Sequence, residues 1–232
     1  MSDVRVSSSD NSYESACSLK DISLFKSLDK ETLAMLEDAM ETRAVRKGRH
    51  LLKASENGQF VMFVVAGEFK VTLTNRNGKE YVVDRLGPGD FFGELSILTG
   101  LPRSADVEAI HDSKVLILSQ QDFEKYVLSN AGLTRALLAE LALRLRETTA
   151  KAGDLALLDV YRRIARVLAS LVKKPKDDDE IIGVVEKLPT HKEIAALAAT
   201  TREMVTRALR ELQTAGHIEF KGKRLLIKSL PI

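Results

Sequence analysis

From Glu41 to Leu118 the apolar positions fall in short runs, and a turn signal closes nearly every one. "FVMFVVAG" (Phe60–Gly67) is a continuous β-branched and aromatic run, the pattern of a strand buried on both faces. "KVTLT" alternates, Asn75-Arg76-Asn77-Gly78 turns the chain, and "KEYVVDRL" returns, which predicts a β-hairpin. "LGPGD" then breaks the chain again. Short strands at this spacing predict a compact β-barrel or jelly roll.

The periodicity changes near Ser119. "SQQDFEKYVLSN" reads as a helix capped by Ser119 or Gln120, and a long helical stretch follows beyond Asn130 to about Val172. Within it Leu138, Leu141, Leu145, Thr148, Ala152 and Leu155 recur at spacings of 3, 4, 3, 4 and 3, the a/d seam of a parallel coiled coil. The other reading is a long helix lying on its own domain. Thr148 is the odd member, because a seam hydroxyl needs a partner. "KKPKDDDE" (Lys173–Glu180) is a charged turn and a candidate domain joint, and "IIGVVE" is a short strand. Two short helices come next. Thr190 caps the first through Thr-x-x-Glu to Glu193, and Thr200 or Thr201 caps the second. The first buries Ile194, Leu197 and Ala198; the second buries Val205, Ala208, Leu209 and Leu212. Gly216 ends it, and "HIEF-KG-KRLLIK" forms a two-stranded wing. The whole reads as a winged helix-turn-helix, with half of a small helical bundle as the other possibility.

Composition narrows the classes. The 232 residues, 44% of them hydrophobic, leave room for about two domains with real cores. No apolar run approaches the roughly 20 residues that span a bilayer. The Ser-rich start "MSDVRVSSSDNSYESACS" lacks the apolar core of a signal peptide and reads as a disordered tail, so a cytoplasmic protein is expected. One cysteine, Cys17, excludes an internal disulfide framework and a four-cysteine metal or iron–sulfur site. The net charge of +2 is unevenly placed. Leu188 to Ile232 carries eight Lys/Arg and four Glu, a local +4, which leaves −2 for the remainder and hints at a polyanionic partner.

The candidate chemistry lies in "FGELSILTGLPRSADV" (Phe92–Val107), which sets Glu94 and Arg103 nine residues apart around an apolar loop. Strand, Gly93 and helical turn give a concavity of backbone N–H groups suited to phosphate. Arg103 adds a planar double donor. Glu94 would repel phosphate, so its partner should be a hydroxyl such as a ribose 2′-OH. A cyclic nucleotide offers both groups; a Glu94–Arg103 salt bridge closing the loop would fold equally well.

This stretch resembles the phosphate-binding cassette of cyclic-nucleotide-binding domains. The resemblance gives Glu94 the ribose 2′-OH and gives Arg103, with backbone amides, the cyclic phosphate; Gly93, Leu95, Ser104 and Ala105 stand beside them. Ser rather than Thr after the arginine leans toward cAMP over cGMP. "RLRETTAKAGDLALLDVYRRIARVLASL" resembles the dimerisation helix of the cyclic AMP receptor protein branch of the CRP/FNR transcription factors. There a hydroxyl pair hydrogen-bonds the adenine, one of them across the dimer, and Thr148 and Thr149 hold those positions. "TTREMVTRAL" resembles the recognition helix whose Arg-Glu-x-x-x-Arg reads a TGTGA-type half-site, matched by Arg202, Glu203 and Arg207. Arginine can donate twice to guanine, and glutamate can accept from cytosine. Thr190, Thr201 and Lys223 complete the expected DNA face.

The resemblance therefore implies an α+β protein: a disordered tail at 1–18, a β-jelly-roll cyclic-nucleotide-binding domain at 19–130, a dimerisation helix at 131–172 and a winged helix-turn-helix at 173–232. It implies a homodimeric regulator rather than an enzyme, with cAMP as effector, double-stranded DNA as partner and RNA polymerase as a further contact. Cyclic di-GMP is the alternative effector. The alternative of another class is a regulatory subunit whose C-terminal module binds protein. There are departures. Ala199 replaces the usual turn glycine, tolerable if its φ stays negative, and the cassette is one residue short. "KKPKDDDE" does not resemble the polymerase-contacting loop of the best-known relatives. FNR-type cluster cysteines are absent, and His50, His111, His191 and His217 show no ligand spacing, so no metal is expected.

Overall fold

The computed structural model describes residues 17–26, 28–78, 80–172, 182–222 and 224–230. They group into two units, one of residues up to Val71 with Arg85–Ala139, the other of Thr72–Asp84 with Glu140 onward.

In the first unit, β1 (Glu41–Val45), β8 (Ser113–Ser119), β3 (Phe60–Ala66) and β6 (Phe91–Phe92) form one four-stranded sheet in that order. The second sheet runs β2 (His50–Leu52), β7 (Asp106–Ala109), β4 (Phe69–Thr74), β5 (Glu80–Leu86). Val45, Met62, Val64, Phe92, Val115 and Ile117 of one sheet meet Leu52, Phe69, Leu86, Val107 and Ala109 of the other in a single buried cluster. This is the sandwich expected of a jelly roll. β3 explains why its sequence does not alternate. Met62 and Val64 fill the space between the sheets, and Phe63 on the other face packs on Phe25 and Phe91, ring centroids 4.9 and 6.0 Å away. The β4–β5 hairpin is as expected, with Gly78 N–H closing the turn on Asn75 O at 2.9 Å.

The N-terminal side adds two helical turns, Leu19–Asp21 and Ser23–Phe25, and α1 (Lys30–Asp38). Residues 1–16 of the expected tail lie outside the described residues, but its last two are anchored. Cys17 N–H donates to Val65 O at 2.8 Å, and Ser18 caps the first turn with Asp21. After β8, Ser119 does cap α3 (Gln120–Asp122), accepting from Asp122 N–H at 3.1 Å. The single α-helix expected there instead widens into a π-helical segment, Phe123–Leu128, which buries Phe123 and Val127.

The helix expected over 131–172 is two helices. α4 (Ala131–Leu157) ends, and Asp159 N-caps α5 (Val160–Ser170) by accepting from Arg162 N–H at 2.8 Å. A side-chain acceptor satisfies one of the amides a new helix start leaves orphaned, so the chain stops and restarts. α4 buries Leu133 and Leu137 but leaves Leu138, Leu143 and Leu145 more than half exposed. Farther along it, Lys151 Nζ donates to Val83 O at 2.9 Å and pairs with Asp84 at 3.3 Å, tying β5 to the helix. Burial, and then the charge of Asp154, raises the Tyr81 phenol in the same strand.

α5 belongs to the C-terminal core. Its Ile164 and Leu168 pack with residues of α6 (His191–Leu197), α7 (Arg202–Thr214) and a sheet. That sheet has three strands, not two: β9 (Gly183–Val185) joins the wing β10 (Ile218–Lys221) and β11 (Arg224–Ile227) by pairing with β11. The charged stretch Lys173–Glu180 lies outside the described residues. Between α6 and α7, Ala199 takes φ +50°, against the expected negative value. Ala198 ends α6 and Thr201 already caps α7, so the reversal has to be made within two residues. A left-handed residue does that, at a cost of about 1–2 kcal/mol for a side chain with Cβ.

Candidate functional site

Gly93, between β6 and α2 (Glu94–Thr99), has φ +91°, and Gly100 beyond the helix has φ +68°. Two left-handed residues bracket this short helix and fold the chain back toward Arg103. Both ends of the stretch are then buried: Glu94 is 4% exposed and Arg103 6%. The guanidinium donates through Nη1 to Gly93 O at 2.5 Å and through Nη2 to Phe60 O at 2.9 Å. The Arg103 backbone is held as well, its N–H on Glu56 O at 2.8 Å and its carbonyl accepting from Ser55 N–H at 2.9 Å. Burial pulls the guanidinium below its ordinary value, and the charge of Glu94 opposes that pull. An arginine titrates so high that it stays a cation. The loop therefore presents a desolvated cation of fixed orientation beside a buried carboxylate.

One residue of this arrangement was not anticipated. A Cβ at Gly58 would lie 2.0 Å from Arg103 Cζ, so the guanidinium rests flat against that glycine. At Gly93 a Cβ would lie 2.7 Å from Nη1 and 2.8 Å from Phe60 O. Asn57-Gly58 was visible as a turn dipeptide, but nothing in the sequence linked it to a residue 45 positions later. Of the other cassette residues, Ser104 is exposed, Ala105 half-buried and Leu95 45% exposed.

Thr148 and Thr149 sit on α4 in the second unit, both exposed. Each hydroxyl donates to the carbonyl four residues back, Thr148 to Arg144 O and Thr149 to Leu145 O, both at 2.8 Å. The seam hydroxyl has its partner inside its own helix, so its presence alone does not demand a ligand.

In the C-terminal module, α7 buries Val205, Ala208, Leu209 and Leu212 and turns Arg202, Glu203 and Arg207 outward. With Thr206, Arg210 and Glu211 these line an open depression of about 590 Å³. Thr206 and Arg210 continue the Arg202 face at intervals of four, a regularity readable in the sequence but not used there. Arg207 Nε pairs with Glu211 at 2.9 Å, an exposed ion pair. Glu203 is held below the ordinary carboxylate range by its own backbone N–H first and the Thr201 hydroxyl second. Thr190 and Thr201 both act as caps: Thr190 closes a capping box with Glu193, and Thr201 accepts from Met204 N–H at 3.3 Å. Lys223 lies outside the described residues. Among the described residues no cluster of His, Cys, Asp and Glu could hold a metal ion, and no helix is long and apolar enough to cross a membrane.

Comparison with known proteins bears on both sites. Residues 42–130 match the cyclic nucleotide-binding domain family, and residues 162–231 match the Crp-like helix-turn-helix domain. The cAMP-activated global transcriptional regulator CRP of Escherichia coli is 33% identical over 178 residues, covering 76% of this chain and 84% of that protein. The chain belongs to the CRP/FNR family.

A second relative, the cAMP-activated global transcriptional regulator Vfr of Pseudomonas aeruginosa, is 32% identical over 181 residues, 76% of this chain and 84% of that protein. Among solved structures, the catabolite activator protein of Thermus thermophilus is 28% identical with a TM-score of 0.53, covering 88% of this chain and 92% of that one. The c-di-GMP-responsive regulator CLP of Xanthomonas campestris has a TM-score of 0.74 at 23% identity, covering 87% of this chain and all of that one, and so shares the fold. The CRP/FNR family consists of transcription regulators rather than enzymes. As a member, the chain is a cyclic nucleotide-responsive regulator with a DNA-binding helix-turn-helix. A protein-binding C-terminal module, the alternative of another class, finds no support in a match of that kind.

Proposed function

We propose that this CRP/FNR regulator responds to cAMP and acts as a cytoplasmic homodimer on palindromic TGTGA-like sites, with RNA polymerase as a further contact. The observation that carries the effector reading is the pairing of buried Glu94 and Arg103 in one glycine-bracketed loop. A buried cation attracts a desolvated anion strongly. Arg103 keeps N–H groups beyond the two spent on Gly93 and Phe60, and these suit the equatorial oxygens of a cyclic phosphate. A carboxylate accepts from a ribose hydroxyl but repels a second phosphate. Two relatives a third identical to this chain are named as cAMP-activated, which favours adenine as the base. Cyclic di-GMP enters as the competitor, since CLP shares the fold.

At the DNA face, Arg202 and Arg207 donate to guanine O6 and N7, and Glu203, kept ionised, accepts from cytosine N4. The Arg207–Glu211 pair is exposed and worth little, so Arg207 is easily released to a base.

Calorimetric titration of the purified chain with cAMP, cGMP and cyclic di-GMP tests the effector. cAMP should bind tightest, and Arg103→Ala should lose about 100-fold or more, since two charge-assisted hydrogen bonds contribute roughly 1.5–3 kcal/mol each. Tighter binding of cyclic di-GMP, or unchanged cAMP affinity in Arg103→Ala, would overturn this assignment.

A further inference from the structure

We propose that Thr206 is a specificity-determining residue of the DNA-reading helix and recognises the C5-methyl group of a thymine in each half-site. This rests on the reading of α7 as that helix.

Thr206 lies one turn beyond Arg202 and next to Arg207, and it lines the same open depression as both arginines and Glu203. It is half-buried where the charged residues lining the depression are exposed, and its hydroxyl is engaged within the protein. Thr206 Oγ1 donates to Arg202 O at 3.0 Å and lies 2.8 Å from His191 Nδ1 of α6. A hydroxyl carries one proton. With that proton on the Arg202 carbonyl, the contact with His191 requires Nδ1–H to donate and Thr206 Oγ1 to accept. The donor and one lone pair are thus used before any base arrives.

What Thr206 contributes to the depression is then its methyl group. Thr206 is the uncharged member of a lining otherwise made of arginine and glutamate side chains, and its methyl sits on a short, branched side chain where theirs end in charge. The apolar feature of the major groove is the thymine methyl, and threonine meets it by direct apolar contact. His191 serves as the positioning residue: its bond to Oγ1 opposes rotation of the side chain and ties the threonine to the helix that precedes the turn.

The test uses the full-length protein with cAMP. A preferred duplex is selected from a random pool, and each of its thymines is replaced in turn by deoxyuridine, which lacks only the methyl group. At one thymine per half-site the parent protein should lose about fourfold in affinity, the value of one buried methyl-sized contact. Thr206→Ser, which keeps the hydroxyl, should be indifferent to that replacement. Thr206→Val, which keeps the methyl, should still discriminate. Identical deoxyuridine profiles for the parent and Thr206→Ser overturn the proposal while leaving the DNA-reading helix in place. Failure to select any duplex, or selection unaffected by Arg202→Ala, overturns the reading of α7 and the proposal with it.

Discussion

Arg103 shows how much local structure one functional side chain requires. An arginine that is 6% exposed is stable only if its guanidinium is fixed in direction and its charge answered. Two carbonyls fix the direction, Glu94 answers the charge, and two glycines clear the space. Gly58→Ala should therefore weaken cAMP binding by tenfold or more with the fold retained, because a Cβ 2.0 Å from Cζ displaces the fork. Calorimetry beside a thermal melt checks this, and unchanged affinity would detach Gly58 from the site. Ala199 is the opposite case, a residue that strains the backbone where a glycine would not. At φ +50° the Ala199→Gly change should stabilise the C-terminal module by roughly 0.5–1 kcal/mol, seen as a rise of about 2 °C in melting temperature. A lower melting temperature would mean that the methyl packs usefully and outweighs the strain.

At the scale of elements, the seam on α4 carries the prediction. Leu138 is 61% and Leu145 68% exposed in a single chain, two large apolar side chains one heptad apart on the same face of α4. Their heptad spacing fits a second copy of the same helix. Leu145→Lys would set like charges against each other across that seam and should leave a monomer in light-scattering mass measurement; a persistent dimer would place the interface elsewhere. How far such elements were legible follows from their physics. β3 and the β4–β5 hairpin stood out because a buried strand and a glycine turn leave local signatures. The cassette was legible because Gly93, Glu94 and Arg103 lie in one short stretch. The break before α5 was missed although Asp159 was in view, since apolar periodicity continues across the cap. The π-helical segment at Phe123–Leu128 has no sequence pattern of its own. Gly58 was missed because its reason for being glycine is a contact with a distant residue.

For the whole molecule, control of transcription by a small effector requires ligand and DNA binding to be linked. A dimer that reads two half-sites about 34 Å apart depends on how its long helices cross. A ligand biases that crossing only through contacts that differ between states. Thr148 and Thr149 are the proposed contacts, and in this structure their hydroxyls donate within α4, to Arg144 O and Leu145 O. The deciding measurement is a mobility-shift titration of the full chain on a palindromic TGTGA duplex, with and without cAMP, for the parent and for Thr148→Val with Thr149→Ala. cAMP should shift the parent's DNA affinity by about 5- to 150-fold, the usual range of coupling between two sites, and the double variant should bind cAMP yet lose the shift. Superimposable curves for the parent with and without cAMP would contradict that linkage.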